Sequence, residues 1–167
     1  MSSIEISSPY TPSPNSAGGV DVCHTIFNAS EKSMKYITFT YVPYNSVGDI
    51  LSCTVKRQSE MSCKVTGPFT PGQESYLHWE NVWYNPTVVN AKIKEVKIQY
   101  MDDTEETIAG EDILDEENPD SELFKIKAKK AEEYAKKQRK QKMIIGGIVA
   151  AFIIIVLGSM LSTMLSI

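Results

Sequence analysis

VVNAKIKEVKIQYM, residues 88–101, is the stretch whose reading decides the fold. Val89, Ala91 and Ile93 share one phase of a period-two alternation, and Val96, Ile98 and Tyr100 share the other. Side chains of a strand alternate between its two faces, so an unbroken strand would turn one of these sets away from the core. One extra residue at Lys94 or Glu95 restores a common face, and the segment therefore predicts a long strand with a β-bulge.

Working outward, similar runs precede it. A short strand is expected at Ile4–Ser7, inside a Ser- and Pro-rich arm. Val20, Val22, His24 and Ile26 alternate with Asp21, Cys23, Thr25 and Phe27. KYITFTYV (35–42), ILSCTVK (50–56), MSCKVTG (61–67) and SYLHWENVWY (75–84) follow, rich in β-branched and aromatic residues. Turn signals separate them, among them Pro43-Tyr44-Asn45, Thr70-Pro71-Gly72 and Asn85-Pro86. After 88–101 the chain turns and a last strand is expected at Glu105–Ile108. Some seven short strands with no helix between them predict an immunoglobulin-like antiparallel β-sandwich.

Beyond Gly110 the composition changes. The net charge of −4 averages two opposed blocks. Carboxylates crowd residues 102–122 without a Lys or Arg, and basic residues dominate 125–142. Asn118 or Asp120 is a candidate cap for a helix that starts near Pro119. Its residues are good helix formers with no Gly or Pro after that point. From Met143 the chain reads MIIGGIVAAFIIIVLGSMLSTMLSI, with no charged side chain. A helix of some 22 residues would measure about 33 Å, the thickness of a bilayer's hydrocarbon core.

The expected organisation is a flexible arm (1–14), a sandwich (15–110), an acidic linker (111–120), a basic juxtamembrane helix (121–142) and a transmembrane anchor (143–167). Lys136, Lys137, Arg139, Lys140 and Lys142 stand just before the span and none follows it. Positive flanks stay cytoplasmic. No signal-peptide pattern precedes the sandwich. These two observations place the N-terminal domain in the cytosol, and the alternative is an extracytoplasmic domain. The basic residues suit anionic lipid headgroups better than nucleic acid, because they abut the span and Tyr134 is the one aromatic among them. Gly147, Ala151, Gly158 and Ser162 fall near one helical stripe, a pattern that permits close helix packing or reflects ordinary membrane-helix composition.

Several stretches occur together in order: NSAGGVDV (15–22), KYITFTYVPYNSVGDIL (35–51), TGPFTPGQ (66–73), WENVWYN (79–85) and IQYMDDTEETI (98–108). Residues 15–108 thereby resemble a bacterial family of small β-sandwich domains of unknown function. Its members carry PYN-VGD, TGP, W--VWYN and YMDGT elements, often in membrane-tethered or multi-domain proteins. The resemblance implies a fold and no activity. This chain departs from the pattern at Asp103, where the turn glycine of YMDGT is expected, so a positive φ there is less comfortable.

Residues that could carry chemistry are few. Cys53 and Cys63 are symmetric about Gln58 and would face one another across a hairpin, as thiols in a reducing cytosol. His24 and His78 match no zinc-ligand spacing, and Cys23 and His24 belong to opposite strand faces. No nucleophile-elbow, phosphate-loop or dinucleotide motif is present. Trp79 and Trp83 share one strand face with Tyr84 on the other, offering either core or an aromatic partner surface. The expectation is a non-catalytic adaptor at a membrane surface, with no metal, cofactor, nucleic acid or small-molecule substrate. It would bind membrane lipid and a protein partner or a second copy of itself. The alternative is a small subunit of a membrane complex assembled through its span.

Overall fold

The long strand forms, and its bulge falls at Lys94. In the computed structural model, which describes residues 2–115, 119 and 121–140, β6 (Asn90–Tyr100) pairs antiparallel with β3 (Met34–Tyr44). The register steps from Thr40↔Glu95 to Tyr41↔Ile93, leaving Lys94 as the extra residue. Ala91, Val96, Ile98 and Tyr100 are buried on one face as a result, and Ile93 packs against that core. Val89 is exposed, because it belongs to the turn that enters the strand.

The remaining strands are β1 (Ile4–Ile6), β2 (Gly19–Asn28), β4 (Met61–Phe69), β5 (Glu74–Tyr84), β7 (Glu105–Ala109) and β8 (Leu114–Asp115). They build two four-stranded sheets, β5-β2-β1-β8 and β4-β3-β6-β7. All pairings are antiparallel except β1 with β8. Apolar side chains from both sheets merge in one core that includes Ile6, Val22, Ile26, Ile37, Phe39, Trp83 and Ile98. The architecture is a β-sandwich, with inward residues alternating with solvent-facing ones along most strands.

One expected strand is absent among the described residues. Residues 50–56 are not a strand, since the segment folds back in a loop with turns through Thr54–Lys56. The Cys53 amide bonds the Gln58 carbonyl, and Arg57 adopts φ 55° to close the turn. The hairpin that would have set Cys53 opposite Cys63 therefore does not form, and all three cysteines are free thiols. The expected cap residues, Asn118 and Asp120, lie outside the described residues. Ser121 caps the helical backbone of residues 122–140, its hydroxyl accepting the Phe124 amide at 3.3 Å. Glu5 of β1 reinforces the cap, its buried carboxylate accepting from the Ser121 hydroxyl at 2.9 Å and the Leu123 amide at 3.0 Å. A carboxylate at a helix N-terminus satisfies otherwise orphaned amides and the positive end of the helix dipole. Alternation puts Glu5 opposite Ile4 and Ile6, on the outer face of its sheet, where Leu123 is also buried.

The chain divides into two units, Met1–Lys125 and Ile126–Ile167. The first holds both sheets and the capped first helical turn. Within the second, residues 126–140 are helical and mostly exposed. Among the described residues no helix is long and apolar enough to cross a membrane. The expected span, residues 143–167, lies outside them.

Candidate functional site

The aromatic residues singled out in β5 do not form a surface. Trp83 is completely buried, so its assignment to a partner surface is corrected. Its indole N–H donates to the Ser59 carbonyl at 3.1 Å, which ties the 50–60 loop to the core. Trp79 is half-buried and packs in a cluster with His24, Phe39 and Tyr41, with ring centroids 5.4–5.8 Å away. Tyr84, also half-buried, works through its backbone: its amide approaches Cys53 Sγ at 3.3 Å and its carbonyl accepts the Thr54 amide. Trp79 and Trp83, four residues apart, keep a common inward face because the bulge between them adds an even number of residues, two. β2 pairs Val20 with Trp83 but Val22 with Trp79, and Asn81 takes φ 54° in the excess of β5. Gly19 lies against that bulge, where a Cβ would fall 1.9 Å from Asn81 Oδ1.

The cluster around His24 is structural. Its Nε2 lies 2.6 Å from the Tyr41 hydroxyl, and among the described residues no hydrogen-bond partner reaches Nδ1. Burial pushes the imidazole down to about 4 and pushes the Tyr41 phenol up. On the outer face of the same sheet Asp21 accepts from the Asn81 amide at 2.8 Å, which holds its carboxyl below the usual range, and meets His78 at 2.9 Å. Among the described residues no three His, Cys, Asp or Glu side chains converge on one point that would hold a metal.

Lys136, Lys137, Arg139 and Lys140 are exposed on the helical backbone of the second unit, with Lys136 3.6 Å from Glu132. Lys142 and the small-residue stripe of Gly147, Ala151, Gly158 and Ser162 lie outside the described residues.

A different place combines concavity, apolar lining and open backbone. β7 pairs with β6 only over Glu95–Gln99. After Ala109 a turn of 3-10 helix, Gly110–Asp112, carries the chain to β8, beside β1 in the other sheet. The departure is tight, since a Cβ on Gly110 would fall 2.0 Å from the Ile93 carbonyl oxygen. The edge of β6 over Asn90–Lys94 is consequently unpaired by any strand among the described residues. Beside it opens a groove of about 460 Å³, whose lining includes Ile6, Pro9, Ala91, Ile93 and Ile113, with Ser7, Lys92 and Glu111 as polar members. A second depression, of about 530 Å³, involves Val42, Tyr44, Ile50, Glu60, Lys92 and Lys94. Both share Lys92 and Ile93, so they flank the same stretch of strand.

Such an edge offers hydrogen-bonding backbone with side-chain pockets on either side, the arrangement that receives an added strand. Sequence reading missed it, although the signal was present. A strand of some eleven residues was followed by one of four or five, and a short neighbour leaves part of a long one bare.

No family model matches the chain, and no curated protein matches it. Its fold is similar to the solved structure described as the structural characterization of IrmA from Escherichia coli, with a TM-score of 0.48 at 10% identity, covering 69% of this chain and 92% of that one.

Proposed function

We propose that this chain is a non-catalytic interaction module, an immunoglobulin-like sandwich tethered to the cytoplasmic side of a membrane by residues 143–167. One observation carries the reading: an uncharged apolar segment long enough to span a bilayer is preceded directly by Lys136, Lys137, Arg139, Lys140 and Lys142, and positive flanks stay on the cytoplasmic side. Each basic side chain near an anionic surface adds about 1 kcal/mol of attraction. The acidic stretch before the helix is repelled by the same headgroups, so lipid holds one segment and leaves the other in water.

What the sandwich presents is the open half of β6. Three groups that could carry chemistry have structural roles instead. His24 is buried and neutral, Trp83 supports a loop, and Glu5 caps a helix. The bacterial domain family of unknown function suggested by the YMD and VWYN elements would supply such a head without specifying its partner.

The test is protease accessibility of the sandwich in intact cells and in lysates, with membrane fractions washed at alkaline pH. The chain should stay in the washed membrane pellet, and its head should be cut only after lysis. Cleavage in intact cells would put the head on the far side, and release by the wash would remove the anchor.

A further inference from the structure

We infer that the open half of β6 takes up an extended peptide as an added strand, and that this peptide alternates apolar and acidic side chains. The inference rests on the interaction-module reading above and names the chemistry of the partner.

The backbone argument comes first. Over Asn90–Lys94, β3 occupies one side of β6, and among the described residues no strand occupies the other. The Ile93 carbonyl is directed toward Gly110, whose backbone packs against it and closes the edge at that point. Ala91, two residues away, projects its N–H and C=O to that same side, because these groups alternate along a strand. Charges and bulges on an isolated edge restrict which chain can pair with it, and here Lys92 and the bulge at Lys94 do so. The bulge at Lys94 and the Gly110 backbone on the Ile93 carbonyl end the open stretch at one limit, leaving about three residues, Asn90–Lys92, or roughly 10 Å, for pairing.

Side chains of an added strand would point alternately into the two depressions. The inner one is walled by Ile6, Pro9, Ala91, Ile93 and Ile113, which suits apolar residues. The outer one carries Lys92 and Lys94 over Val42 and Tyr44. Lys94 is already paired with Glu60 at 2.6 Å. Lys92 lies 5.0 Å from the Tyr44 ring centroid, and among the described residues no carboxylate lies within ion-pair distance of it. A peptide carboxylate beside Lys92 supplies that partner. The same lysine argues against a second copy as occupant. Antiparallel pairing of this edge with itself about Lys92 sets lysine against lysine, and like charges directly opposed in a sheet are destabilising.

The test uses the full chain in neutral phosphatidylcholine nanodiscs, so that anionic lipid does not compete. The probe is a nine-residue peptide alternating valine and glutamate. One control has the same residues in two blocks, and another has lysine in place of glutamate. The alternating acidic peptide should slow hydrogen exchange at the Ala91 amide, whereas the block peptide should not. Lys92→Glu, an exposed substitution that leaves the core untouched, should weaken the acidic peptide by about tenfold and admit the lysine peptide. The inference is overturned if the acidic peptide does not protect the Ala91 amide, if Lys92→Glu binds both peptides as the parent does, or if the chain pairs with itself at this edge. Photo-cross-linking from Tyr76, on the opposite sheet, separates the two readings. Peptide failure with a membrane protein captured there would remove the β6 assignment and keep the module, and failure of both would remove both.

Discussion

The two halves of β6 differ in almost everything except their sequence pattern. Residues Glu95–Gln99 have β3 on one side and β7 on the other, and Val96 and Ile98 are sealed in the core. Residues Asn90–Lys94 have, among the described residues, β3 as their one partner strand, with Ile93 half-buried beside a groove. A strand paired on both sides is structure. A strand paired on one side is structure and template together. The boundary between them is the bulge at Lys94 and the turn at Gly110, so one extra residue and one glycine separate the part that stabilises the domain from the part that can receive a partner.

The comparison breaks if the halves contribute equally to stability. Ile98→Ala should cost about 3–4 kcal/mol, because it empties a fully enclosed site. Ile93→Ala should cost about 1 kcal/mol, because its site already opens to solvent and can relax. Denaturant unfolding of the two variants reads the difference. Equal losses would mean that the groove is packed as tightly as the core.

A second prediction concerns pH. His24 packs against Phe39, whose register partner is Val96, so it belongs to the paired half. Its folded-state value of about 4 lies below the ordinary 6.5. Between these values the unfolded chain binds the proton and the folded chain does not, so stability falls as pH drops. The full effect approaches about 3 kcal/mol near pH 4 and is absent above about pH 7. His24→Phe should flatten the slope of stability over pH 4–7, measured by thermal unfolding. An unchanged slope would place the titration elsewhere.

The smallest effect belongs to the turn joining β6 to β7. Asp103 adopts φ 61°, a conformation that costs a side chain and suits glycine. It is offset by an ion pair with Lys35 at 2.6 Å, which is exposed and worth little. Asp103→Gly should raise stability by about 0.5 kcal/mol, and a loss larger than that would show that the Lys35 pair matters more than the backbone.

Much of this domain was legible before any coordinates. The bulge could be read because two apolar triads fall out of phase across Lys94 and Glu95, and only one extra residue reconciles them. At Asp103 the resemblance led to the expectation of a turn glycine and made a positive φ less comfortable for this chain, yet Asp103 takes φ 61°. The strand at 50–56 was misread because Ile50, Cys53 and Val55 carry strand propensity, yet only Cys53 is buried, and Trp83 and Tyr84 hold it as a loop. The Glu5–Ser121 cap was invisible for another reason. Its partners are 116 residues apart, and no local pattern announces a contact of that range. The open edge lay between these cases. Strand lengths hinted at it, but which side of β6 would be bare depended on topology.

The most direct test is hydrogen exchange of individual amides in the full chain without any peptide. The Ala91 amide should exchange roughly a hundredfold or more faster than the β7-bonded amides of the Glu95–Gln99 segment. Equal protection along the whole of β6 would mean that its free edge is already covered, and the docking account would fail.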